Sequence, residues 1–282
     1  MKKDEVPGIA ERALKTTGPE GSLAVHWTLA DEVPVSLTFN GVAHAVMMAS
    51  PSDLEDYGVG FALAERILVD PGDLRSLEVR KLERGFLIDL QVGEDAGSRV
   101  AARRRNLPGQ TSCGICGIIE LEEALPELAP VTASLDVSHS AVRNALSSLR
   151  DHQPLNASAR SLHGAAFCSA EGSILFARED VGRHNALDKL IGAGVRAGVD
   201  LAAGFIVMSS RCSIELVQKV VIAGVPLLAT ASAPTTLAVK LAEDARLTLV
   251  CASGPQDIAV LVDPHCNLAQ IDKQAERREK PL

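Results

Sequence analysis

Two thiols stand three residues apart in Thr111-Ser112-Cys113-Gly114-Ile115-Cys116-Gly117, each followed by glycine. A segment this rich in glycine and small residues makes a poor helix interior and a poor core, so its value lies in its sulfur. A Cys-x-x-Cys pair can supply half of a zinc site, a redox dithiol, or a thiolate that carries sulfur. A closed zinc site needs four ligands. The partners on offer are His163 with Cys168 or His265 with Cys266, neither of which forms a second Cys-x-x-Cys. A thioredoxin-type dithiol opens a helix after a strand, and the glycines disfavour that. Arg103-Arg104-Arg105 lies just upstream. Folded back over the thiols it would favour the thiolate; taken alone it reads as a solvated surface run.

A second chemistry-bearing stretch is Glu179-Asp180-Val181-Gly182-Arg183-His184-Asn185-Ala186-Leu187-Asp188-Lys189. It follows a strand and opens an amphipathic helix. Gly182 permits a tight turn, the helix N-terminus offers free N–H groups, and Arg183 and His184 add donors there. The same strand–turn–helix, capped by an Asn, is equally a structural device. Two more polar junctions follow apolar strands: Ser209-Ser210-Arg211-Cys212-Ser213 and Ser232-Ala233-Pro234-Thr235-Thr236. Ligands of open α/β sheets gather outside the carboxyl ends of strands. Arg183, His184, Ser209, Ser210, Ser232 and Thr235 thus form a candidate polar rim for a phosphorylated ligand. Cys168, Cys212 and Cys251 read as buried small residues.

The elements that must position these groups follow from periodicity. Val33–Phe39 and Val42–Met48 alternate across Asn40-Gly41, a favoured hairpin turn. Ser52-Asp53-Leu54-Glu55 reads as a capping box opening a helix that runs to about Leu68. Leu77–Leu82 and Phe86–Val92 form a further hairpin with Gly85 at the turn. Ser138 caps a helix carrying Val142, Ala145, Leu146 and Leu149 on one face. After a hairpin around Glu171-Gly172, helices and short apolar strands alternate to about Val262, which implies a parallel or mixed sheet covered by helices, an α/β fold. The expected organisation is a poorly ordered segment at 1–30, a small α+β unit at 31–98, a thiol-bearing loop at 99–118, an α/β domain at 119–270 and a solvated tail at 271–282.

Composition narrows the function classes. The 282 residues are 46% apolar, with eight aromatics (six Phe, one Trp, one Tyr), so the core must be aliphatic. A net charge of −8 argues against a general nucleic-acid binder. Residues 1–8 hold no apolar export segment, and no run is long enough to span a bilayer, so the expected location is the cytoplasm.

Taken together, Ser112–Gly117, Arg178–Lys189, Glu215-Leu216-Val217-Gln218-Lys219 and Ser232–Val239 resemble the FdhD family, the formate dehydrogenase accessory sulfurtransferases, over about residues 33–262. The resemblance implies a cytidine-deaminase-like three-layer α/β/α core with a mixed sheet, a smaller N-terminal α+β unit, and a homodimer. It implies that a cysteine desulfurase delivers sulfur to the thiol loop as a persulfide. It implies further that the sulfur passes to the bis(molybdopterin guanine dinucleotide) molybdenum cofactor, bound as cargo, for the catalytic subunit of formate dehydrogenase. The family's persulfide cysteine falls on Cys113, with Cys116 as second thiol and no resident metal.

One segment departs from the family pattern. Where an aromatic residue and arginines are usual after the Leu247–Val250 strand, this chain has Ala252-Ser253-Gly254-Pro255-Gln256-Asp257. Cofactor contact there would rest on Ser, Gln and backbone N–H groups. A zinc nucleobase deaminase is the competing reading of such a core. It needs a ligand closely followed by a Glu and then Pro-Cys-x-x-Cys. Here Gly164, Ala165 and Ala166 follow His163, and the thiols lie upstream of it. A non-catalytic chaperone that shields the cofactor is the other alternative, and it makes Cys113 dispensable.

Overall fold

The computed structural model describes residues 6–19, 21–104, 127–254 and 257–268. The strands β1 (Ile9–Gly18) and β2 (Gly21–Ala30) form an antiparallel ribbon, with Arg12 opposite Trp27 and Leu14 opposite Val25. Within the segment 1–30, expected to hold little order, residues 9–18 and 21–30 are therefore strands of a hairpin. Leu23, Val25, Trp27 and Leu29 recur at period two, which places them on one face of the ribbon. That alternation is the signal the mixed charge of the segment obscures.

A four-stranded sheet follows, in the order β4-β3-β6-β5. It comprises β3 (Val33–Phe39), β4 (Val42–Ala49), β5 (Leu74–Leu82) and β6 (Gly85–Val92). The two hairpins β3–β4 and β5–β6 are joined by the parallel pairing of β3 with β6. Asn40 and Gly41 both take positive φ, 51° and 75°, as the expected two-residue turn requires. Helix α1 (Leu54–Ala64) lays Leu54, Tyr57, Phe61 and Ala62 on this sheet, against Val35, Leu37, Ile88 and Leu90. Helix α2 (Glu94–Arg104) comes next, so residues 99–104, expected in a loop, are helical.

The second sheet has six strands in the order β12-β11-β10-β9-β7-β8. These are β7 (His163–Cys168), β8 (Ile174–Asp180), β9 (Phe205–Met208), β10 (Leu227–Thr230), β11 (Thr248–Ala252) and β12 (Ile258–Val262). β9, β10 and β11 are parallel neighbours, and β12 is antiparallel to β11. The later helices, in chain order, are α3 (His139–Ser148), α4 (Pro154–Ala159), α5 (Arg183–Arg196), α6 (Ile214–Ile222) and α7 (Thr236–Asp244); α4 contacts the β1–β2 ribbon and α5 contacts α1. The fold is thus the expected mixed α/β. β9 and β10 are buried throughout, and their continuous apolar runs are those of strands covered on both faces.

The chain divides into two compact units: Met1–Glu127 with Arg150–Ala165 and Ala177–Val199, and Leu128–Leu149 with Ala166–Phe176 and Asp200–Leu282. In the first, α1 and α5 meet backbone to backbone. A Cβ on Gly60 would overlap the Asp188 carbonyl, and one on Gly192 would overlap the Asp56 carbonyl. Two glycines thus bring the helices closer than side chains allow. In the second, α3 packs near β9 and β10, and α7 lies over β11 and β12. Ser138 caps α3 through Ala141 N–H at 3.0 Å, as expected from the sequence.

Candidate functional site

Asp180, the last residue of β8, organises the turn that delivers Arg183 and His184. Its carboxylate is fully buried and receives Gly182 N–H at 2.8 Å, Asn185 Nδ2 at 2.9 Å, Ser50 N–H at 2.9 Å and Lys189 Nζ at 2.7 Å. Lys189 is equally buried and also donates to the Ser50 carbonyl at 3.0 Å. Asn185 does not cap the helix. Gly182 holds the N-cap position, and Asn185 bonds Asp180 and the Met48 carbonyl while accepting from Tyr57 Oη at 3.2 Å. Burial, and then the charges of Asp188 and Asp180, push the Tyr57 phenol well above its usual range, so it serves as a neutral donor. The sequence reading missed Ser50, Tyr57 and the Asp180–Lys189 pair. The signal available was the four-residue spacing of Asn185 and Lys189, which puts both on one helix face.

Arg183 therefore starts α5 on a rigid base. Its Nε is buried and has no hydrogen-bond partner among the described residues. A buried guanidinium nitrogen without an acceptor is costly, and an anion would satisfy it. The donor set at this helix start fits a phosphate-bearing ligand.

In the second unit, Met208, Thr230 and Cys251 lie abreast at the ends of three parallel strands. The loops that follow are laced together: Ala231 N–H donates to Met208 at 2.8 Å, Thr235 N–H donates to Cys212 at 3.0 Å, and Cys212 bridges Pro234. Ser209, Ser210, Ser232 and Thr235 are thus brought to one edge. Much of their hydroxyl chemistry is spent internally. Ser210 Oγ donates to the Arg211 carbonyl at 2.9 Å, Thr230 Oγ1 donates to the Ser232 carbonyl at 2.8 Å, and Thr235 Oγ1 caps α7 through Ala238 N–H. At the next strand end, Ala252, Ser253, Gly254 and Asp257 form the return to β12, with Ser253 N–H on the Asp257 carbonyl at 3.0 Å. Pro255 and Gln256 lie outside the described residues.

Cys113 and Cys116, with Arg105, also lie outside the described residues; Arg103 and Arg104 end α2. Cys168 is buried at the end of β7, and burial pushes its thiol up to about 12. Cys251 is raised for the same reason. Neither is a thiolate near neutral pH, as expected for small core residues. His163 and Cys168 sit at opposite ends of β7, five residues or about 16 Å apart at strand rise, too far to share a metal. His265 is committed to Val131 O at 2.9 Å. No group of three or more His, Cys, Asp or Glu that could hold a metal occurs among the described residues.

These features define an α/β protein with anion-suited strand–helix junctions and a Cys-x-x-Cys in its sequence. The chain belongs to the FdhD/NarQ family, which it matches over residues 30–265. It is 46% identical over 236 residues to the sulfur carrier protein FdhD of Variovorax paradoxus strain S110, covering 84% of this chain and 85% of that one. It is 41% identical over 258 residues to the sulfur carrier protein FdhD of Xanthomonas euvesicatoria pv. vesicatoria strain 85-10, covering 92% of each. A crystal structure from Desulfotalea psychrophila, provisionally assigned as a formate dehydrogenase accessory protein, superposes with a TM-score of 0.73. It is 23% identical and covers 92% of this chain and 98% of that one, a likeness of fold.

Proposed function

We propose that the chain is a sulfur carrier for the maturation of formate dehydrogenase. The observation that carries the reading is membership of the FdhD/NarQ family, with relatives at 40–46% identity named as sulfur carriers, in a chain that holds a glycine-flanked Cys113/Cys116 pair. Cys113 thiolate attacks the outer sulfur of a persulfide on a cysteine desulfurase. The Cys113 S–S bond forms, the donor's S–S bond breaks, and the donor cysteine leaves as thiolate. Attack of Cys116 thiolate on the inner sulfur of the Cys113 persulfide then expels hydrosulfide and leaves a disulfide, so the dithiol supplies the two electrons. The sulfur is destined for the bis(molybdopterin guanine dinucleotide) molybdenum cofactor, held as cargo in a homodimer acting in the cytoplasm. Arg183 and His184 would meet the phosphates of its guanine nucleotides, and the orphaned Arg183 Nε supports that assignment. Ser209, Ser232 and the 252–257 turn would supply further hydrogen bonds from the strand ends. Among the described residues no helix is long and apolar enough to cross a membrane.

The test is formate dehydrogenase activity in cells lacking their own FdhD and supplied with this chain or with Cys113→Ser. Restoration by the first and not by the second supports a sulfur carrier. Equal restoration by both would reduce the protein to a chaperone of the cofactor.

A further inference from the structure

Ser52 does not do what its sequence context predicts. In a capping box its hydroxyl would bond the start of α1. Asp53 holds the N-cap position instead, in the left-handed region at φ 52°, and makes no side-chain cap bond. Ser52 Oγ is left buried with no hydrogen-bond partner among the described residues.

That hydroxyl borders a cavity of about 530 Å³ within the first unit. Ser52, Asp53, His152, Arg178 and Glu179 form its polar side; Leu155 and three prolines form much of the rest. The volume lies within the range of small-molecule sites. Several of the polar groups are already committed. Glu179 is nearly fully buried, and its two carboxylate oxygens receive the N–H groups of Leu155 at 2.9 Å and Asn156 at 2.8 Å. Arg178 spends Nε on buried Asp56 at 2.8 Å and Nη1 on the Ala177 carbonyl at 2.8 Å. Arg178 Nη2 has no partner among the described residues. The Asp53 carbonyl accepts Tyr57 N–H at 2.9 Å, while its carboxylate makes no hydrogen bond among the described residues and pairs with Arg178 Nε at 3.6 Å.

Three groups at one cavity thus keep hydrogen-bonding capacity: the Asp53 carboxylate, held only by its 3.6 Å ion pair with Arg178 Nε, the Nη2 of Arg178 and the buried hydroxyl of Ser52. An anion and a cation held side by side complement a ligand that carries an ammonium and a carboxylate on one carbon. The apolar wall complements an aliphatic side chain. We propose that this cavity binds a free aliphatic α-amino acid, its ammonium on Asp53 and its carboxylate on Arg178 Nη2 and Ser52 Oγ. The inference stands independently of sulfur transfer.

A hydroxyl kept for a ligand has a thermodynamic signature. Without the ligand it is an unsatisfied buried group, and deleting it relieves a penalty. With the ligand it contributes a hydrogen bond to a charged group, which corresponds to about tenfold or more in affinity. The experiment is calorimetric titration of the full chain with L-leucine, and with leucinamide and 4-methylpentanoate, which lack the carboxylate and the ammonium. Ser52→Ala and Asp53→Asn are titrated alongside, and thermal unfolding of each is measured without ligand. The proposal expects saturable L-leucine binding, at least tenfold weaker binding of both analogues, and weaker binding by both variants. It also expects Ser52→Ala to melt at or above the wild-type temperature. No saturable L-leucine binding, equal binding of the analogues, or a Ser52→Ala variant that melts lower would each overturn it. Should Asp53→Asn fail to fold, the Ser52→Ala comparison still decides.

Discussion

Arg183 carries a buried guanidinium nitrogen with no acceptor among the described residues, at the start of a helix whose entry is fixed by Asp180. If that nitrogen awaits a phosphate, Arg183→Ala should weaken binding of guanosine diphosphate by about ten- to a hundredfold, the range of a charge-assisted hydrogen bond. The thermal midpoint should barely change. Titration calorimetry checks both points, and unchanged affinity would make Arg183 a structural residue. Glu179 offers a test in pH. Burial is the largest influence on its carboxyl and raises it above the usual Glu range, against the two backbone N–H groups it accepts. The folded state then binds its proton more tightly than the unfolded state does. The stability contributed by this group is present below the unfolded Glu value, about 4.3, and is lost as pH rises through the folded value. Glu179→Gln should therefore flatten the fall in stability across that window, as read from urea midpoints between mildly acidic and neutral pH. A variant as pH-dependent as the wild type would contradict this. At this scale the sequence was legible where a motif names its own partner: Ser138 caps α3 as its position foretells. It was not legible where partners come from distant chain. Nothing near Asp180 in sequence announces Ser50, and nothing near Ser52 says that its hydroxyl goes without its helix.

The seating of α5 rests on two unusual choices. One is the salt bridge of Lys189 with Asp180, which takes both charges fully out of water. Such a pair is costly to bury, but removing one partner strands the other. Lys189→Met should cost about 3–5 kcal/mol, and the double variant Lys189→Met, Asp180→Asn should recover part of that in urea unfolding. A single variant as stable as the wild type would show that Asp180 is solvated or otherwise paired. The other choice is glycine at the crossing. Gly60→Ala puts a methyl where the Asp188 carbonyl lies, a backbone atom that cannot yield as a flexible side chain would. Overpacking costs about 1–3 kcal/mol or more, so a drop in thermal midpoint of several degrees is expected, and no drop would mean that the helices sit further apart. The two predicted hairpins of the small sheet, β3–β4 and β5–β6, were legible because each alternates and turns at a glycine. The ribbon β1–β2 was overlooked, although Leu23, Val25, Trp27 and Leu29 alternate in strict register, because the facing strand β1 interleaves Glu11, Arg12 and Lys15 with its apolar residues. The parallel join of β3 to β6 brings together strands from separate hairpins, and no local pattern specifies it.

For the whole molecule, the alternation of helix and strand from residue 163 onward was enough to fix the α/β class, since a parallel sheet needs its strands joined by covering segments. The compact units are built from discontinuous stretches, with residues 150–165 and 177–199 joining the N-terminal part. The sequence instead suggested contiguous segments, 1–30, 31–98, 99–118, 119–270 and 271–282, because propensity and pattern carry no information on which stretches contact one another. The candidate rim was legible as a set of polar strand ends. The internal use of Ser210, Thr230 and Thr235 hydroxyls was not, since turn geometry decides it. The central claim concerns Cys113, and intact mass tests it most directly. The purified chain is incubated with a cysteine desulfurase and cysteine, with Cys113→Ser in parallel. A gain of one sulfur, about 32 Da, that is lost on reduction and absent from the variant is the predicted result. An unchanged mass in the wild type, or an equal gain in Cys113→Ser, would contradict the account.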